Sequence, residues 1–524
     1  MKKTMVNNFQ KTHKEVIMSI ETKVQKRKSK IDGWLFFPPL IFIAALVVWV
    51  IRDPVRAGKS MSSAFSFVTN QMGWFFEWYI LSAMAICIFL CVSPLGKKHF
   101  GAEEPEYSTF AWLGMVFTAV AGFGVLTWTS IEWFYYAQTP AWGLEPYSVE
   151  AMEYAALYPI FHWGPFGFII ATLAGVLYAY QFYVRENNDV RPSASCVSIL
   201  GEKHTNGAIG KIMDALFVIA LLCSVVTCVG VNVPTFFGIV SRVFGVQPTF
   251  AVQAGIIMLW SILMAFLLYT GLKKGIRFFS NVRVIVGFGV LIFLLFVGPT
   301  AYLCNSFTDS VGVYIQSSWR LILNTDIFGK SGTPQNWTVF YWCWYIVLAL
   351  ANGIFFAKIS KGRTVRELVI GSILAQTVGS WLFFAIFQNY CIYIFQNNTI
   401  DLGGIIATSG QGEAIVSLWD YFPFAKFLFP ILMVYGFISM QTLLNGNCFS
   451  MAVATSKRLP DGEEPPIWVR IFWSIGIGLI AISLLLIGGI QPAQTVSIVS
   501  AVPLTLVIAV MVWAFLKDSH KRWG

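Results

Sequence analysis

The predicted fold class is an all-α membrane protein with twelve transmembrane helices, and composition, the length of the apolar runs and the alternation of basic loops predict it. Of 524 residues, 56% are hydrophobic and only 12% charged, a balance far from that of soluble domains. A bilayer core asks for about 20 apolar residues per helix. Runs of that kind recur from Trp34 almost to the end of the chain. These features exclude a soluble enzyme, a secreted domain and a disordered chain. The net charge of +10 would suit a nucleic-acid partner, but the basic residues lie in short loops and tails, where they set orientation in a lipid bilayer. No nucleic-acid partner is expected.

Residues 1–33 form a basic tail with nine Lys or Arg against Glu15, Glu21 and Asp32. No small-residue cleavage site follows, so the tail is expected to remain on the cytoplasmic side. The spans begin near Trp34, Trp74, Phe110, Glu153, Gly210, Phe250, Asn281, Asn336, Arg366, Pro423, Trp468 and Thr495, each an apolar run between charged or turn-forming loops. With the N-terminus inside, the even-numbered crossings return to the cytoplasm. Their loops hold Lys97 and Lys98, Arg185 and Arg191, Lys273 and Arg277, Lys361 and Arg363, and Lys457. The opposite loops at 137–152, 395–420 and 489–493 hold no Lys or Arg, which selects this register by the positive-inside rule. Residues 307–324 are amphipathic and too polar to cross, and are predicted to lie along the outer surface. The expected organisation is a cytoplasmic tail at 1–33, a transmembrane domain at 34–516 and a second cytoplasmic tail at 517–524.

Catalysis finds little support. Of five histidines only His162 is embedded in a span, and a lone helical histidine is usually structural. The nine cysteines lack the spacing of a disulfide framework or zinc site. No nucleophile elbow, paired zinc histidines or phosphate loop is present, so the expectation is secondary transport with no enzyme activity, cofactor or metal.

The most unusual segment is W-T-V-F-Y-W-C-W-Y at 337–345. On a helix Trp337, Tyr341, Trp344 and Leu348 share one face, with Tyr345 about 100° round from Trp344. An aromatic belt at the membrane interface explains that composition equally well. Aromatics recur, however, at Trp128, Trp133, Phe134, Tyr135 and Tyr136, and again at Phe161, Trp163 and Phe168. Converging aromatic faces suit a quaternary ammonium, held by cation–π attraction of about 2 kcal/mol or more per desolvated ring. Gly122 and Gly124 are expected to break the third span and Asn352–Gly353 the eighth, a pairing typical of transporter sites, although small-residue helix packing uses the same residues.

The 337–345 segment, continuing into A-K-I-S-K-G-R-T-V-R-E at 357–367, closely resembles the signature of the betaine/choline/carnitine transporters. F-E-W-Y at 76–79, S-I-E at 130–132 with Tyr135, F-H-W-G-P at 161–165 and D-G-E-E-P-P at 461–466 resemble the family too. The nearest subgroup resembles the L-carnitine/gamma-butyrobetaine antiporters. The resemblance implies two leading helices and a five-plus-five inverted-repeat (LeuT-like) core, with repeats at about 110–304 and 336–516. It also implies a homotrimer in a bacterial cytoplasmic membrane. The family's aromatic box falls on Tyr135, Trp163, Trp344 and Tyr345, and a second, outer substrate site on Trp337. Tyr345 stands where the family usually has Trp, Leu348 where it has Trp or Tyr, and Phe168 where Trp is common.

Coupling is implied in the same way. Met440 and Gln441 replace the Thr-Ser pair that resembles a sodium site in sodium-coupled relatives, and Arg283 matches an arginine that substitutes for sodium in the antiporters. Asn352 stands where the antiporters have methionine and is a possible ion or substrate contact. The A-G-F-G stretch at 121–124 holds no acidic residue, so a purely cationic substrate lacks an evident counter-ion, whereas a zwitterion brings its own. The expected function is sodium-independent exchange of zwitterionic trimethylammonium compounds. The alternative is a sodium- or proton-coupled importer of glycine betaine or choline. A lipid-modifying membrane enzyme is disfavoured by the missing nucleophile and metal cluster.

Overall fold

The computed structural model describes residues 31–523 apart from 119–121, 248, 271–272, 458–463 and 488–489. The described chain is helical, with two isolated β-bridges. The basic tail up to residue 30 lies outside the described residues, as do 461–463 of the 461–466 motif.

Two peripheral helices lead the chain, α1 (Gly33–Arg52) and α2 (Pro54–Val92). There follow α3 (Thr109–Thr118), α4 (Phe123–Gln138), α5 (Val149–His162), α6 (Pro165–Tyr183), α7 (Val197–Thr205), α8 (Ala208–Phe244), α9 (Phe250–Thr270), α10 (Lys273–Val297) and α11 (Thr300–Ile322). The remainder comprises α12 (Pro334–Ile359), α13 (Val365–Asn397), α14 (Leu402–Ser409), α15 (Gln411–Trp419), α16 (Ala425–Ala454), α17 (Ile467–Leu485) and α18 (Gln491–Trp523). Among the described residues, nine helices are long and apolar enough to cross a membrane, and the number rises to eleven if each of two bent pairs is one span. The protein is a multi-pass membrane protein. One bent pair is α3 with α4; the other joins the end of α10 to α11 at 108°. The sixth expected span is represented by a shorter apolar helix, Phe250–Phe266.

The second helix begins at Pro54, twenty residues before the point near Trp74 where its apolar span is expected to start. Arg56, Lys59 and a run of serines lower the hydropathy of its first turns, but the Asp53 side chain accepts from Arg56 N–H and Pro54 occupies the first helical position, both strong start signals. The eighth span is not broken at Asn352–Gly353: α12 is continuous there. A glycine inside a helix costs only about 1 kcal/mol relative to alanine. Gly353 serves close packing instead, since a Cβ at this position would come within 2.6 Å of Ala174 on α6. The irregularities lie elsewhere, as π-turns at Pro334–Thr338 and Phe384–Gln388.

Burial orders the helices. Across Val149–Tyr183, which comprises α5 and α6, 94% of the apolar stretch is buried, against 28% for α1 and 33% for α2. A helix apolar all round and buried all round belongs at the centre of a bundle. The loops of alternate crossings gather at opposite ends. At one end Asp32 N–H bonds to Thr455 O, Phe100 N–H to Arg363 O, and Arg191 pairs with Asp32. At the other, Trp142 N–H and its indole N–H donate to Asp326 and Asn324, and Arg242 pairs with Glu413 and Asp420.

Candidate functional site

Three elements converge at the centre of the bundle: α4, the corner between α5 and α6, and α12. The corner is built by W-G-P, with Trp163 ending α5, Gly164 extended and Pro165 opening α6. Proline cannot continue the preceding helix but suits the first position of the next. Ser380 Oγ donates to Trp163 O at 2.6 Å and Trp381 Nε1 to Ile160 O at 2.9 Å, so α13 holds the corner in place.

Trp163 thereby faces α12. Its ring lies 6.3 Å from Trp344 at 86° and 6.2 Å from Tyr345 at 90°, while Trp344 and Tyr345 are parallel within 13° at 6.4 Å. Tyr341 packs against all three at 5.9–6.1 Å. Parallel rings with a perpendicular third make a box whose faces can surround a methylated ammonium. Trp163, Trp344 and Tyr345 are buried, and the Tyr345 hydroxyl has no hydrogen-bond partner. Gly167 makes room for the Tyr345 ring, because a Cβ there would stand 2.7 Å from its Cε2.

Tyr135 belongs to a different tier. Its ring lies 4.8 Å from Trp337 and its hydroxyl donates to Gln411 Oε1 at 2.9 Å. Trp128 connects the tiers, edge-on to Trp337 at 5.7 Å and to Trp344 at 6.5 Å. The structure therefore brings Trp163, Trp344 and Tyr345 together and sets Tyr135 with Trp337, beneath the short helix α15. Phe168 reaches Tyr345 at 5.8 Å from α6.

Behind the box is a carboxylate, Glu132, fully buried on α4. Tyr341 Oη donates to its Oε2 at 2.6 Å and Trp163 Nε1 to the same oxygen at 3.2 Å. Tyr136 Oη donates to Oε1 at 2.8 Å, and His162 Nδ1 lies 3.3 Å from it.

Arg283 is buried on α10, and its Nη2 donates to the Thr118 carbonyl at 2.9 Å, at the end of α3 where the third span breaks. A helix C-terminus carries partial negative charge, so a guanidinium is well placed there. Met440 and Gln441 on α16 are buried, and Gln441 Nε2 donates to Trp260 O at 3.3 Å. Asn352 is half-buried on α12, eight residues beyond Trp344, hence about 12 Å further along the helix.

Residues 34–524 match the model of the BCCT, or betaine/carnitine/choline, family of transporters. The chain belongs to the BCCT family. It is accordingly a secondary transporter of the betaine, carnitine and choline class and not an enzyme. The structure of a Na+-coupled sialic acid symporter in a substrate-bound outward-open state is similar over 85% of this chain and 84% of that one, at 12% identity and a TM-score of 0.40. Neither substrate nor coupling follows from that likeness.

Sequence reasoning passed over the polar part of this BCCT site. Glu132 is the one charged residue in α4, and an ionisable residue inside a membrane span is a functional signal in its own right. His162 was expected to be a lone structural histidine, yet it joins the Glu132 network and its Nε2 lies 3.0 Å from Thr338 Oγ1. The absence of an acidic residue from 121–124 does not leave the site without a negative charge, because Glu132 follows two turns later on the same helix.

Proposed function

We propose that this BCCT protein is a sodium-independent antiporter of zwitterionic trimethylammonium compounds such as carnitine, gamma-butyrobetaine or a related betaine. It works by alternating access as a homotrimer in a bacterial cytoplasmic membrane, both termini inside, with α11 lying along the outer surface. The box of Trp163, Trp344 and Tyr345 supports the head-group assignment, since two near-parallel buried rings, Trp344 and Tyr345, are met at right angles by a third, Trp163. The unpartnered Tyr345 hydroxyl is a donor available to a substrate carboxylate. Trp337 with Tyr135 is the proposed outer substrate site. The contact between Arg283 and Thr118 supports sodium independence: a fixed guanidinium supplies positive charge at the helix break, where an ion would otherwise be needed. Asn352 remains a proposed ion or substrate contact.

A second reading, a sodium- or proton-coupled importer of glycine betaine or choline, is favoured by Glu132, whose carboxylate supplies the counter-charge a bare cation lacks. Counterflow in proteoliposomes with carnitine, gamma-butyrobetaine, glycine betaine and choline, with and without sodium, separates the two. Exchange that needs internal substrate and ignores sodium is expected. Sodium-dependent uptake into empty vesicles would favour the importer.

A further inference from the structure

The Glu132 network does more than fill the core. Both oxygens of this buried carboxylate are occupied, Oε2 by Tyr341 Oη and Trp163 Nε1, and Oε1 by Tyr136 Oη and His162 Nδ1. All four partner atoms can donate, and an ionised carboxylate only accepts. With its proton on Nδ1, His162 leaves Nε2 free to accept from Thr338 Oγ1 at 3.0 Å, so a neutral imidazole and an ionised Glu132 satisfy every member. Two of those donors are the polar edges of Trp163 and Tyr341, whose rings meet Trp344 and Tyr345. The negative charge therefore sits directly behind the box and is tied to it through two rings.

We infer that Glu132 is the positioning residue that makes the box selective for a positively charged head group over a neutral one of the same shape. It acts through two linked effects. Hydrogen bonds from Trp163 N–H and Tyr341 O–H to a carboxylate lock both ring orientations and shift electron density into the rings, strengthening their attraction for a cation. The charge itself adds a Coulomb attraction that a low-dielectric surrounding screens weakly. A neutral isostere gains from neither effect, although it fills the same space. Apolar burial and shape complementarity would not discriminate between the two head groups.

This inference rests on the proposed quaternary-ammonium site, and the test separates the two. Purified full-length protein is titrated with carnitine, glycine betaine and choline, and with the tert-butyl carbon isostere of whichever binds tightest, by tryptophan fluorescence or calorimetry. The unmodified protein should prefer the charged compound; failure to bind any of the three would remove the site assignment and this inference with it. Glu132→Gln should reduce the charged-to-neutral preference by about tenfold or more, because a lost charge at close range in low dielectric is worth at least that much. Tyr341→Phe, which removes one of the two ring donors and keeps the charge, should lower the preference by a smaller factor than Glu132→Gln does. A preference unchanged in Glu132→Gln overturns the inference, whatever happens to affinity. If Glu132→Gln does not fold, Glu132→Asp serves instead: it keeps the charge but withdraws it by one methylene, and should lower the preference by a smaller factor. An unchanged preference there counts equally against the inference.

Discussion

Arg283 reaches from α10 to the Thr118 carbonyl, donating to it at 2.9 Å where the third span breaks. The contact joins a helix that carries a fixed charge to one that leads into the box, and α10 also packs against α16, where a Cβ at Gly287 would meet the Tyr435 ring at 3.0 Å. Arg283→Gln is expected to slow exchange by about tenfold or more, roughly 1.4 kcal/mol on the barrier, while substrate affinity changes little. The variant should also gain some response to sodium, because the carbonyl end of α3 loses its cation. Counterflow rates set beside dissociation constants check this. An equal loss in both would mean that Arg283 supports binding rather than the conformational cycle.

Trp344 lies parallel to Tyr345 and perpendicular to Trp163, and a desolvated indole is the best cation–π partner available. Trp344→Leu should weaken substrate binding by about tenfold or more, at least about 1.4 kcal/mol, without altering the size-exclusion profile of the purified protein. Calorimetry on the purified variant measures it, and an unchanged affinity would remove Trp344 from the site.

Tyr345→Trp tests the departure from the usual family residue. The larger ring must fit beside Gly167, where even a Cβ would stand 2.7 Å from the present ring. Overpacking of that kind costs about 1–3 kcal/mol, so lower thermal stability and weaker binding are expected, despite the more electron-rich indole. Tighter binding at unchanged stability would show that the wall yields.

Gly167→Ala should be more damaging still. Its Cβ would meet the His162 carbonyl oxygen at 2.0 Å as well as the Tyr345 ring, and backbone gives way less readily than a side chain. Loss of folded protein in size-exclusion chromatography is expected; a stable, fully active variant would mean that the corner between α5 and α6 can open.

Tyr135→Phe keeps the ring on Trp337 but removes the hydrogen bond to Gln411. Affinity at the box should change by less than about fivefold, since one part-buried neutral hydrogen bond is worth about 1 kcal/mol, while the transport rate changes as α15 loses one of its ties to α4 and keeps the Trp419 bond to Ser130. A tenfold loss of affinity, measured by the same titration, would put Tyr135 back among the box residues.

The aromatic residues of the site were legible because helical spacing places them on shared faces, as with Trp337, Tyr341 and Trp344. Which rings meet was not legible. Tyr135 follows Trp128 by seven residues on α4 and shares its face about 10 Å further along; both meet Trp337, but of the two only Trp128 also reaches Trp344, a difference set by how α4 and α12 are aligned along their length. Glu132 was visible as a charge in an apolar helix, but its meaning depends on donors drawn from α4, the end of α5 and α12. Spacing along one helix cannot reveal a network assembled from several.

By itself, the amino-acid order determined that this chain is a multi-pass helical membrane protein with an aromatic-rich interior, because backbone polar groups in lipid can be satisfied only within helices and apolar run length is written locally. Tertiary structure alone decided that Gly353 packs rather than breaks, that Arg283 meets the Thr118 carbonyl, and that Glu132 stands behind Trp163 and Tyr341. Each of these depends on the distance between helices far apart in sequence. Close packing sets that distance, and no local pattern encodes it.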